Sequence, residues 1–84
     1  MSKVSTLLKV MPVNDAVDLD NIVENIREAV DVEDTDREDI AFGLEALKIL
    51  VKVDDNSGGT EGVVNTIENI ENVKTVSVES VTRE

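Results

Sequence analysis

The chain has 84 residues, enough for one domain and not two. Nineteen acidic residues against eight basic ones give a formal net charge of −11, which a phosphate backbone would repel. With no Cys and no His, disulfides, zinc–thiolate sites and thiol catalysis are excluded, and the usual general base near neutral pH is missing.

Lys3 to Met11 is predicted as a first strand. Val4, Thr6, Leu8 and Val10 alternate onto one face, and Lys3, Ser5, Leu7, Lys9 and Met11 onto the other. Pro12 ends it, because it cannot donate to a ladder. Asp18 can cap a helix from about Leu19 to Val30, whose stripe is Leu19, Ile22, Val23, Ile26 and Val30. Asp31 to Asp39 carries six acids in nine residues and little apolar pattern. It reads as a loop running into a weak edge strand that ends near Phe42, and dense charge protects such an edge from unwanted pairing.

Leu44 to Val53 is the clearest strand. Leu47, Ile49, Val51 and Val53 share one face, Lys48 and Lys52 the other. Asp54 to Gly59 is a turn rich in residues that cap and permit positive dihedrals. A second helix follows from about Thr60 to Ile70, with Val63, Val64, Ile67 and Ile70 as its stripe, and Val73 to about Thr82 is the last strand. The order strand, helix, strand, strand, helix, strand, with right-handed crossovers, gives an α+β ferredoxin-like split βαβ plait. It has a four-stranded antiparallel sheet with both helices on one face. The core must be aliphatic, since Phe42 is the only aromatic residue.

In this fold the first, third and fourth strands lie side by side. Lys3, Lys9, Lys48, Lys52, Lys74 and Arg83 therefore sit on or beside them, near Leu7, Met11 and Leu50 on the open sheet face. Lysine stems lying over those residues would cover the apolar area; left uncovered, the same residues would make a dimer or partner surface. The face lacks stacking aromatics, so it does not resemble an RNA-binding sheet.

A calcium loop counted from Asp54 puts Gly59 correctly at its sixth position but Asn65 at the twelfth, where a bidentate Glu is needed. Counted from Asp31 it reaches Phe42 at the twelfth and also fails. No GxxxxGK[ST] or GxGxxG occurs, so no nucleotide, metal or other cofactor is expected on this chain. Nothing reads as a signal peptide, and no apolar run is long enough to span a membrane; a cytoplasmic protein is expected. Phe42 is ambiguous. Alternation sends it inward if Ile40 points inward, but a bulge at Gly43 would break that parity.

Three stretches carry a family resemblance: IAFGLEAL at 40–47, GGTE at 58–61, and KVMP at 9–12 followed by the DLD helix start at 18–20. Their order and spacing resemble the archaeal form of the elongation factor 1-beta family over nearly the whole chain. The resemblance implies one ferredoxin-like exchange domain over residues 1–84. It also implies release of GDP from elongation factor 1-alpha through contact with both its GDP-bound and nucleotide-free states. It implies a partner contact for Phe42 and Gly43 at the strand corner. Arg83 matches the position where eukaryotic relatives carry a Lys that reaches the partner's magnesium and phosphate region, and Arg changes the shape and reach of that charge. No direct nucleic-acid or membrane contact is expected, and the state should be monomer or weak dimer. The competing reading is a non-catalytic ferredoxin-like module that works through its open sheet face. An enzyme built on carboxylates ranks third. Clustering of Phe42, Arg83 and the strand corner favours exchange, whereas a dimer burying Leu7, Met11 and Leu50 favours the module.

Overall fold

The computed structural model describes residues 3–41, 43–54 and 59–83. Strand β1 (Lys3–Pro12) leads to helix α1 (Leu19–Ala29). Strands β2 (Asp31–Ala41) and β3 (Leu44–Asp54) follow as a hairpin, then helix α2 (Gly59–Glu68) and strand β4 (Val73–Arg83). All three strand pairings are antiparallel, in the spatial order β2-β3-β1-β4. This is the ferredoxin-like plait the residue pattern predicts.

The register of β1 on β3 sets Val4, Thr6, Leu8 and Val10 opposite Val53, Val51, Ile49 and Leu47. Those residues form the helix-facing side of the sheet. Leu19, Ile22 and Ile26 of α1 and Val63 and Ile67 of α2 close over them, leaving Leu8, Val10, Ile26, Ile49, Val51 and Ile67 with no exposed surface. Asp18 caps α1 by accepting the Asp20 N–H at 3.0 Å, as the sequence suggests. Thr6 is the one buried polar residue among those described. Its hydroxyl meets the Thr60 hydroxyl at 3.4 Å, so the first turn of α2 satisfies a polar group in an otherwise aliphatic layer.

The acidic stretch departs from expectation. Asp31 to Asp39 is not a loop leading to a weak strand; it lies within a full eleven-residue strand, β2. Only Val32 and Thr35 are half-buried toward the helices on this edge, so hydrophobic alternation is faint. The strand is held by its ladder with β3, in which Asp31 and Asp36 stand opposite Lys52 and Lys48. Opposite charges paired across strands stabilise a sheet. The complement of the acids thus lies on a neighbouring strand, outside the reach of a local reading.

Two bulges bend this hairpin. The register shifts once between Val32 and Asp34 and again between Asp39 and Ala41. The second shift leaves Ile40 as the extra residue, so parity breaks there and not at Gly43. Pro12 is the last residue of β1, beside a further shift in the β1–β4 register. None of the helices among the described residues is long and apolar enough to cross a membrane.

Candidate functional site

Gly43 sits in the tight turn between Ala41 and Leu44, with φ at +80°. Phe42 lies outside the described residues. The surroundings of Gly43 are described, and they form one end of the molecule. Ile40 is 38% exposed and Val13, on the loop after β1, is 47% exposed. Bulging sends Ile40 away from the core, and Val13 is fixed by its N–H donating to the Asn72 carbonyl at 3.0 Å. A shallow hollow of about 290 Å³ runs past Asp39, Ile40, Gly43 and Leu44. Behind it, Arg37 on β2 pairs with Asp20 in the first turn of α1, tying the hairpin to the helix layer. The turn thus carries exposed apolar side chains on a braced frame.

Arg83 is the last residue of β4, and its backbone stands opposite Val4. Val4 in turn stands opposite Val53, near the end of β3, whereas Gly43 precedes the start of that strand. At about 3.3 Å per residue, the length of β3 separates the Gly43 turn from Arg83 by about 30 Å. The clustering of the strand corner with Arg83 that would favour exchange is therefore not found: Gly43 and Arg83 occupy opposite ends of the sheet. Nothing in the sequence pattern of β4 alone signals this, because it follows from the antiparallel pairing of the first and last strands.

The open sheet face carries an ion-pair ladder that no local sequence pattern signals. Lys48 on β3 bridges Glu38 on β2 at 3.2 Å and Glu79 on β4 at 2.6 Å. Lys9 on β1 reaches the same Glu38 at 3.4 Å, and Lys52 reaches Glu33 at 3.2 Å. Glu79 is placed there by a bulge, the residue left over where the β1–β4 register shifts. The Lys48 hydrogen bond, helped by the charges of Lys48 and Lys9, holds the Glu38 carboxyl below its ordinary value. Hydrogen bonds to Glu79 and then Glu38 raise the Lys48 ammonium above its ordinary value. Three lysines are thereby engaged by carboxylates of neighbouring strands, and they form no positive patch.

Among the described residues no group of three or more His, Cys, Asp or Glu side chains could hold a metal ion. Arg83 ends β4 at one end of the sheet, and Ile40 and Val13 are exposed at the other.

Comparison with known proteins gives the family. The model of the EF-1 guanine nucleotide exchange domain matches residues 5–83. Elongation factor 1-beta of Halobacterium salinarum is 44% identical, with 99% of each chain aligned. Elongation factor 1-beta of Haloarcula marismortui is 42% identical over the same share. That of Staphylothermus marinus is also 42% identical, over 99% of this chain and 98% of the relative.

Proposed function

This chain belongs to the EF-1 guanine nucleotide exchange domain family, and from that membership we propose how it drives GDP from elongation factor 1-alpha during polypeptide elongation. It makes and breaks no covalent bond. It binds the nucleotide-free GTPase more tightly than the GDP-bound form, and by linkage it weakens GDP by the same factor. Each tenfold gain in release calls for about 1.4 kcal/mol of that preference. Its place of action is the cytoplasm, where elongation proceeds.

The observation that carries the reading is the exposed apolar end formed by Val13 and Ile40 beside Gly43. Such a surface suits docking onto a protein, and Phe42, next to Gly43 in sequence, is its anchor. Arg83, about 30 Å away along the sheet, supplies the charge directed at the nucleotide's phosphate and magnesium region. The sheet between them is a rigid spacer, so the factor grips its partner at two separated places. Because neither place alone fixes the geometry, loss of either lowers release.

Release of labelled GDP from elongation factor 1-alpha tests this, with and without the protein and its folded Phe42→Ala and Arg83→Ala variants. Wild type accelerates release, and each variant loses about tenfold or more of the acceleration. Acceleration that survives both substitutions would move the contact elsewhere, and no acceleration by the wild type would refute the exchange mechanism.

A further inference from the structure

We propose that the open face of the sheet is a second docking surface, which takes a basic, apolar-centred segment of a protein partner. The proposal rests on three features that meet in one place. Leu7 and Leu50 stand opposite each other on the two central strands, half-buried, on the face that neither helix covers. They floor a hollow of about 590 Å³ that is more open than enclosed. Its charged walls are Asp34, Asp36 and Glu38 with Arg37 and Lys48.

That hollow has an acidic excess, and part of its acidic capacity is unspent. On the open face, Lys9, Lys48 and Lys52 confront Asp31, Glu33, Asp34, Asp36, Glu38 and Glu79. The lysines are taken up by Glu33, Glu38 and Glu79. Asp34 and Asp36 stand opposite Leu50 and Lys48, and among the described residues neither forms an ion pair. Each accepts one hydrogen bond, from the backbone N–H of the next residue, Thr35 at 2.9 Å and Arg37 at 2.8 Å. A carboxylate has room for several more donors.

These features select the occupant. The leucines ask for an aliphatic or aromatic side chain, and the two free carboxylates beside them ask for Lys or Arg. The hollow is too open to bury most of a small molecule, as small-molecule sites usually do. Nucleic acid is repelled by the carboxylates, and a second copy of a chain with net charge −11 is repelled likewise. A basic segment on another protein satisfies both demands, with electrostatics setting its register and rate of arrival.

Because the test uses a peptide and no GTPase, it stands apart from the exchange reading. The probe is a short synthetic peptide with leucines set between arginines, titrated into the isotopically labelled protein and followed by amide shifts. Shifts should centre on Leu7, Leu50 and the 34–38 stretch. The Asp34→Asn, Asp36→Asn double variant keeps both backbone hydrogen-bond acceptors. It should bind about tenfold more weakly, and binding should fall as salt rises. The proposal is overturned by the absence of shifts at millimolar peptide, by shifts at the Gly43 end instead, by equal binding of the double variant, or by equal binding of a peptide with glutamates replacing the arginines. A response to spermine without a response to the peptide would also overturn it, in favour of a polyamine site.

Discussion

Gly43 holds φ at +80°, and among the described residues beyond its chain neighbours nothing lies within 4 Å of where its Cβ would stand. A substitution there meets no steric neighbour and pays only for left-handed backbone. Gly43→Ala should therefore lower stability by about 1 kcal/mol, read from chemical denaturation, with an unchanged structure. A loss several times larger would mean that the turn has a close neighbour after all. Thr6 shows the opposite economy of one residue: a hydroxyl kept in the core because Thr60 answers it. Glycine at the hairpin was legible from sequence, since Phe-Gly between two strand patterns marks a turn. The Thr6–Thr60 pairing was not, because nothing in the sequence around either residue names the other.

At the scale of elements, β2 is the instructive case. Its six acids in nine residues suppressed the alternation by which strands are recognised, and Val32 and Thr35 were too little to restore it. The strands β1 and β3 and the helix α1 were legible because a buried face imposes a period on each. The ladder was illegible for the same reason as β2: Glu38 and Glu79 reach Lys48 from strands far apart in sequence. Reading the open face from the other three strands alone gave it a mixed charge, where β2 makes it anionic. In the candidate site, the corner was marked by its lone aromatic and glycine, but the distance from that corner to Arg83 required the register.

The ladder has a pH signature. Glu38's carboxyl is held low by Lys48, so its stabilising effect is present above the ordinary glutamate value of 4.5 and is lost as pH falls below it. Lys48 is raised, so its share is present below 10.5 and lost as pH climbs through its elevated value. Glu38→Gln should flatten the acid limb of the stability profile, measured as denaturation midpoint between about pH 5 and pH 2.5. An acid limb as steep in the variant as in the wild type would show that other carboxylates govern it.

For the whole molecule, charge sets a competition. The exposed pairs of the ladder each contribute little and weaken with salt. The net −11 opposes compaction and is also screened by salt. Raising salt from about 0.1 M to about 1 M shortens the screening length from about 10 Å to about 3 Å. With nineteen acids and only eight basic residues, relief of repulsion should win. The melting temperature should rise by several degrees over that range, and a fall would mean that the ladder outweighs the repulsion.

The place of β1 in the sheet bears on how the molecule is made. Of the four described strands it leaves the ribosome first, yet it lies between β3 and β4, and Val4 must wait for Arg83. Until β4 emerges, one long flank of β1 has no ladder, and α2 lacks part of the sheet it packs on. Closure of the sheet therefore comes late and all at once, and a nascent chain stalled before β4 would present an open edge that a chaperone, or another nascent chain, could occupy.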